Sequence, residues 1–320
     1  FFFKHKTAYQ ILSGLVGSEM CIRDRFGRIE AHEAICAWAR DILLTTISIA
    51  EDDGWNVLHA IVDCVWIENK NLKTREEKIA SAMQLSQKVT DLIGIPLEFE
   101  DIYDFIGFLP SRMHNAGSLT KYWAHGQNGF KLRGIEARQH STCEWIAAIQ
   151  KESLEILKDN LNGESNYDSI TVQQKIIAKL HDEIKSLNSG KIDPKKLVVT
   201  RRVTKRIEDF SVSTNTQQAL IRARRLGQDI LPGRKVRFVA TKPSPGIPES
   251  RVILLEELSD NSGFRIDSEY YEGLAIRAIW AILGPFGWSD EEIRQGHRKY
   301  TLFDFFSAFD SNPSINDSAY

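Results

Sequence analysis

The run Asn56–Ile67, NVLHAIVDCVWI, is apolar and rich in β-branched residues, and it carries one carboxylate, Asp63. Such a segment has few ways to fold. Its composition and brevity favour two short strands paired with each other, with the carboxylate near the turn. Burying an unpaired carboxylate costs on the order of several kcal/mol, or raises its pKa until it neutralises. Asp63 therefore either bonds backbone amides in a tight turn or holds a cation. The flanking sequence decides between these roles.

Upstream, Ile35, Ala39, Ile42, Leu43, Ile47 and Ala50 recur at helical spacing over residues 29–53, and Gly54 supplies a stop. An amphipathic helix thus delivers the chain to the hairpin. A second helix is expected from about Arg75 to Ile93, because Thr74 and Glu77 have capping-box spacing and Gly94 lies beyond the end. Residues 97–108 read as a strand. Tyr122–Glu136 reads as a hairpin turning at Gln127, Asn128 and Gly129. Ser141 and Glu144 repeat the capping-box spacing before a helix to about Lys158, and a further helix is expected over 172–187 after a polar linker at 160–168. The first half is therefore α+β, and the second is mainly helical.

With 42% hydrophobic and 26% charged residues in 320, the chain can bury cores in about two domains. No apolar stretch approaches the roughly 18–20 residues that span a bilayer, so a cytoplasmic protein is the default. Cys21, Cys36, Cys64 and Cys143 form no C-x-x-C pair, which argues against structural zinc and a disulfide framework. Residues 1–25, FFFKHKTAYQILSGLVGSEMCIRDR, resemble translated sequencing-adapter DNA and are set aside from fold reasoning as non-native. A signal peptide would place Lys4, His5 and Lys6 before the apolar start, not after it.

Charge is unevenly spread. Residues 191–242 hold 14 Lys and Arg against 4 acids in a chain of net charge −2, so this region alone reads as a polyanion-binding surface. Its three basic elements are KKLVVTRRVTKR, an Arg-rich helix near Arg222, Arg224 and Arg225, and RKVRFVAT after a Pro232–Gly233 turn.

Together these pieces resemble the late palm and the thumb of a family B DNA polymerase of archaeal type, over about Phe26–Leu302. FGRIEAHEAICAWAR is similar to the helix before the third polymerase motif, and LHAIVDCVWI falls where that motif, an aromatic-x-D-T-D-S/G hairpin, stands. Asp63 then takes the second aspartate, which ligates the catalytic Mg²⁺ ions. Ile61 replaces the first aspartate, Val62 the threonine, Cys64 the serine and His59 the aromatic residue. Two-ion phosphoryl transfer needs carboxylates from two strands. By this resemblance Asp63 is the one ligand that the chain contributes, its partner lies upstream of Phe26, and the fragment by itself does not polymerise.

LTKYW and FKLRGIEAR resemble the family's K-x-Y and K-x-R-G-x-E junction between palm and thumb, with His140 where an Asp often follows. This implies that Lys121, Tyr122, Lys131 and Arg133 lie along primer–template DNA and hold its phosphates. KLVVTRRVTKRIEDF, QALIRARRLGQDILPGRKVRFV and IDSEYYEGLAIRAIWAILGPFGW follow the thumb pattern in order. They imply that Arg201, Arg202, Lys205, Arg206 and Arg234 contact duplex phosphates, and that Trp280, Phe286 and Trp288 are thumb core.

The expected fold is α+β: a partial palm of antiparallel sheet and packed helices over 26–143, then a mainly helical thumb over 144–320. The implied partners are primer–template DNA, a dNTP in the complete protein and a sliding clamp, at the nucleoid and away from membrane. The phenylalanines of FDFF in the tail read either as a partner peptide or as part of a terminal helix. Because Ile61 interrupts the motif, an inactivated polymerase relative that binds DNA or scaffolds replication proteins is the alternative. A cysteine hydrolase using Cys64 and His59 fits poorly, since an odd offset along a strand sends two side chains to opposite faces.

Overall fold

In the computed structural model, which describes residues 2–5, 29–111, 117–161, 169–258 and 263–298, the apolar run forms the expected hairpin. Strand β2 (Asn56–Ile61) pairs antiparallel with β3 (Cys64–Glu68), and Ile61 stands opposite Cys64 across the turn Val62–Asp63. Helix α1 (Ile29–Asp52) precedes it, and α2 (Arg75–Ile93) follows. The expected capping box at α2 is present, with Glu77 N–H donating to Thr74 Oγ1 at 3.2 Å, and Gly94 ends the helix at φ 75°. The expected strand over 97–108 is instead two, β4 (Leu97–Asp101) and β5 (Tyr103–Pro110), broken at Ile102. Strand β6 (Gly117–Gly126) turns through Gln127 and Asn128 into β7 (Gly129–Arg133).

Two compact units result: residues 1–108 with 117–131, and residues 109–116 with 132–320. The first contains a four-stranded sheet in the order β2-β3-β1-β4, where β1 is Phe2–His5. These four residues were set aside from fold reasoning, yet they fill the slot between β3 and β4, with Lys4 opposite Cys64 and Phe3 opposite Phe99. The physical reason is general: β3 and β4 each present a row of backbone donors and acceptors there, and any extended segment can satisfy them.

Strand β3 is buried on both faces. Val65 and Ile67 pack with Ile49 and Ala50 of α1 and Ala82, Leu85 and Val89 of α2. Cys64 and Trp66 pack on the other side with Tyr122 and Ala124 of β6. This is why the run lacks a polar alternation. Gly107 makes room in the neighbouring sheet, order β5-β6-β7, because a Cβ there would meet the Trp123 ring at 2.4 Å.

The second unit is built on α3 (Glu144–Leu161), α4 (Ser169–Asn188) and α6 (Ser268–Leu283), whose apolar faces meet through Ile146, Ile149, Ile176, Leu180, Ile279 and Ile282. Gln150, fully buried on α3, donates to Ala278 O at 2.7 Å and to Glu136 Oε2 at 2.9 Å, and accepts from Ala137 N–H at 2.5 Å. A three-stranded sheet in the order β10-β9-β8 lies in the same unit, with β8 at Val199–Arg202, β9 at Lys235–Ala240 and β10 at Val252–Leu254. Helix α5 (Asn215–Arg225) packs on it, and a short α7 (Asp290–Gln295) follows α6. Tyr271 ties α6 to this sheet, donating to Leu197 O at 2.8 Å and accepting from Ala240 N–H at 2.9 Å.

Helix α3 starts without the expected Ser141–Glu144 box. Its first residue is Glu144, which leaves Ser141 outside the cap, and the thiol of Cys143 meets the backbone N–H groups of Trp145 and Ile146. Trp288 is core, as expected, and donates from its indole to Gln173 Oε1 at 2.7 Å, while Trp280 and Phe286 are half-buried. Residues 162–168 of the expected linker and the tail with its FDFF string lie outside the described residues. None of the described helices is long and apolar enough to cross a membrane.

Trp66 is 1% exposed and fills the space between sheet and β6. Replacing it with alanine removes a large buried side chain, so Trp66→Ala is expected to lower unfolding free energy by about 3–5 kcal/mol. Urea denaturation followed by circular dichroism measures this. A loss within the ~0.5 kcal/mol typical of surface substitutions would contradict the doubly buried strand.

Candidate functional site

Asp63 is the second residue of a two-residue turn whose first residue, Val62, has φ 55°. Positive φ at the first central position alone is the type II′ pattern, where glycine is the usual occupant. A β-branched residue there costs about 1–3 kcal/mol and persists because both strands beyond the turn are fixed. Val62 is 58% exposed, so the turn stands at a surface and lifts Asp63 clear of the apolar run. Among the described residues Asp63 makes no hydrogen bond or ion pair, so the backbone-bonding role open to a turn aspartate is not realised. Ile61, where the motif has its first aspartate, packs instead against the Cys64–Trp66–Tyr122 cluster.

A magnesium centre asks for several oxygen ligands. Among the described residues no three His, Cys, Asp or Glu side chains converge on one point, and Asp63 alone does not make a metal site. Strand β1, the neighbour of β3 on the side away from β2, has the sequence Phe, Phe, Lys, His and no carboxylate. The residues present therefore do not fit a two-ion centre. Contrary to the odd-offset expectation, Cys64 and His59 share one face, because they lie on different strands and His59 stands opposite Trp66. They are nonetheless apart in role: the buried Cys64 thiol donates to Ile61 O at 3.2 Å, and His59 Nε2 meets Leu119 O at 3.0 Å.

The four junction residues fall in different surroundings. Lys121 and Arg133 are exposed. Lys131 is half-buried, paired with Glu100 at 2.8 Å, with its ammonium 5.5 Å from the Trp66 ring centroid and 5.8 Å from that of Tyr103. Tyr122 is 1% exposed, packed among Trp66, Phe108 and His59. The structure thus makes Tyr122 a core residue where the sequence suggested a phosphate contact. Its neighbours on the inward face of β6 are apolar and hold the ring there.

The basic region of the second unit sorts into two kinds of cation. Arg222 of α5 forms a two-pronged pair with Glu257 at 2.6 and 2.9 Å, Arg224 pairs with Glu208 at 2.9 Å, and Arg225 pairs with Glu249. The Arg-rich helix is therefore largely neutralised from within. Arg202, Lys205, Arg206, Arg234 and Lys235 are all exposed, and among the described residues none has an ion-pair partner. The register brings them together. Arg202 of β8 stands directly opposite Lys235 of β9, and the Gly233–Arg234 turn bonds Val203, two residues before Lys205. Lys235 was not singled out in the sequence, although it alternates with the inward-facing Val236 and Phe238 in RKVRFV. Arg201 departs from the group. It faces Val236 across the ladder, on the inward side, and donates to Ser141 O at 3.4 Å.

The family profile described as "DNA polymerase family B" matches residues 33–285. The chain belongs to DNA polymerase family B. Every candidate residue lies inside the matched span. The chain is similar to a protein named "DNA polymerase" from Archaeoglobus fulgidus, at 24% identity over 288 residues, covering 86% of this chain and 34% of that one. It is also similar to "DNA polymerase 2" of Aeropyrum pernix, at 24% identity over 278 residues, covering 86% and 31%. Among solved structures, a family B DNA polymerase from the hyperthermophilic archaeon Pyrobaculum calidifontis matches with TM-score 0.55 and 19% identity, over 83% of this chain and 31% of that one. The fold is thus a family B one, and the chain spans about a third of the relatives that it matches.

The thiols report on this geometry. Cys143 is 1% exposed, and burial pushes its pKa up to about 11, so at pH 8 only about one in a thousand is thiolate. Cys36 is exposed. Alkylation of the folded chain at pH 8, mapped by mass spectrometry, is expected to label Cys36 well before Cys64 or Cys143, and to reach Cys143 only as pH rises towards 11. Labelling of Cys143 as fast as Cys36 at pH 8 would refute the buried cap.

Proposed function

We propose that this chain is the duplex-holding portion of a family B DNA polymerase, gripping primer–template DNA through its phosphates. The observation that carries the reading is the juxtaposition of Arg202 and Lys235 directly across the β8–β9 ladder, with Lys205, Arg206 and Arg234 beside them. Like charges opposite each other destabilise a strand pair. Arg222, Arg224 and Arg225 each have a direct carboxylate partner. Among the described residues this cluster has no direct ion pair, and only Glu208 lies near enough to Arg206 to feel its charge, so the surface suits an external polyanion. These groups hold phosphates without reading bases, because a lone cation offers no base-edge pattern. Lys121 and Arg133 are further exposed cations suited to the same work. Lys131 carries less of it because Glu100 already neutralises it.

In the complete protein, Asp63 would supply one carboxylate to a two-Mg²⁺ site whose other ligands this chain does not provide, and the ions would there support template-directed nucleotidyl transfer to a dNTP. A clamp is a further partner of that protein, which acts at the nucleoid. The Asp63 role is supported by the family match together with the place of this half-buried carboxylate, without a hydrogen-bond or ion-pair partner among the described residues, in a strained turn. A second reading has its own observation. Ile61 is half-buried against the Cys64–Trp66–Tyr122 cluster, so the first motif position serves packing here, and an inactivated relative that binds or scaffolds on DNA would look the same.

Three outcomes test these readings. The full chain is expected to bind duplex DNA with little sequence preference, and log affinity should fall linearly with log salt, at about 0.9 per phosphate engaged. Salt-independent binding, or none at low salt, contradicts the phosphate grip. Lys235→Glu should raise the thermal midpoint by turning a repulsive pair into an attractive one, while weakening binding to every sequence about equally. If both properties move together, the cluster is structural. For the chemistry, primer extension by the complete protein with Mg²⁺ should be abolished by Asp63→Ala. Unchanged extension would remove the metal role, and no extension by the unaltered complete protein would favour the scaffold reading.

A further inference from the structure

Between the start of α3, strand β8 and helix α6 the second unit holds a cavity of about 170 Å³, lined by Arg201, Arg277, Ser141, Thr142, Glu136 and Cys143 among others. Its two guanidiniums come from different elements and have no carboxylate partner among the described residues. Arg201 donates only to neutral oxygens, at Ser141 O and on Tyr270, and Arg277 uses Nε to bond Gly273 O at 3.2 Å, which leaves its terminal nitrogens uncommitted. Glu136 is the one acid in the lining, and its Oε2 is taken by Gln150. Two positive groups thus share a small polar space with one carboxylate and two hydroxyls. That lining carries a net positive charge and suits an anion that accepts several hydrogen bonds at once.

We infer that this cavity is a binding site for a single phosphate group, held between Arg201 and Arg277 with Ser141 and Thr142 as further donors. Its volume exceeds five times the roughly 30 Å³ share of one water molecule, which is room for a phosphate group with some of its water. The site is separate from the exposed cluster, because Arg201 lies on the inward face of β8 and Arg202 on the outward one. The cavity stands on its own geometry. Only the source of the phosphate, a nucleic-acid strand or a free anion, rests on the duplex-holding reading.

The test uses the full chain, inorganic phosphate as the first probe and duplex DNA as the second. Calorimetric titration should show one phosphate per chain, weakened at least tenfold by Arg277→Gln and strengthened by Glu136→Gln, which removes the opposing charge. Arg277 is exposed, so its replacement should leave the melting midpoint in place. Lys235→Glu, on the exposed cluster, should leave phosphate affinity unchanged. Absence of phosphate binding, indifference to Arg277→Gln, or equal loss with Lys235→Glu overturns the cavity assignment. If duplex affinity of Arg277→Gln also loses about one unit of salt dependence, the phosphate belongs to a strand. If the salt dependence is unchanged while phosphate binding is lost, the site takes a free phosphate. Should the chain bind phosphate but no duplex at all, the duplex reading fails and the cavity stands.

Discussion

Strand β3 has no solvent face: Val65 and Ile67 are held by α1 and α2, and Cys64 and Trp66 by β6. Much of the first unit follows from that. A strand fixed on both sides cannot slip by one residue, because the slip would exchange its two apolar sets between unlike surroundings. With β3 locked and β2 paired to it from Ile61 onward, the two residues between them must close the hairpin whatever their own preferences. Val62 accepts a backbone conformation that suits glycine, and the strain is offset by the burial it makes possible. The consequence is that Asp63 has its place set by the core. An aspartate at a flexible loop tip would sample many positions; this one is carried by a turn with a fixed register.

The second unit solves a different problem, that of carrying excess positive charge. Its cations divide according to whether they sit on a helix backed by acids or at the end of a two-stranded ladder. On α5 each arginine meets a glutamate, and the Arg222–Glu257 pair is two-pronged and largely shielded, which makes it a strut between α5 and the segment after β10. Burial resists ionisation of Glu257, yet its pKa is lowered because the Arg222 guanidinium and the Leu254 N–H more than compensate. At the β8–β9 end no such pairing occurs, and the ladder brings two cations face to face. Local composition alone would treat the two groups alike. Only the strand register separates charge that builds the fold from charge left for a partner.

Much of this was legible in the sequence, because the signals were local. The hairpin at Asp63, the Thr74–Glu77 box and the turn after Gly126 each depend on residues within a few positions of one another. What could not be read depended on contacts between distant segments. Tyr122 looks like a surface residue when it stands beside Lys121, and becomes core only when β6 is laid against Trp66. Ser141 and Glu144 have the spacing of a cap, but Cys143 takes the position, its carbonyl accepting from Ala147 N–H at 3.1 Å and its buried thiol lying over the first backbone amides of the helix. The break at Ile102 between β4 and β5, and the use of Phe2–His5 as a strand, are likewise decided by which edges need partners.

Arg201 and Arg202 show most sharply why adjacent residues of one basic string need not share a role. The pleat turns one inward, over a cavity with Arg277, and the other outward, against Lys235. A flexible basic tail would offer both to the same strand of nucleic acid, whereas a β-strand sends its alternate cations to opposite sides of a sheet. Phosphate held on one side and duplex held on the other would therefore be coupled through a single strand, β8. A ligand that fixes Arg201 also restrains the backbone that presents Arg202. The strand is short, and its ends are tied by Tyr271 to Leu197 O and by Val203 to the Gly233–Arg234 turn, so a restraint at one position reaches the next with little slack.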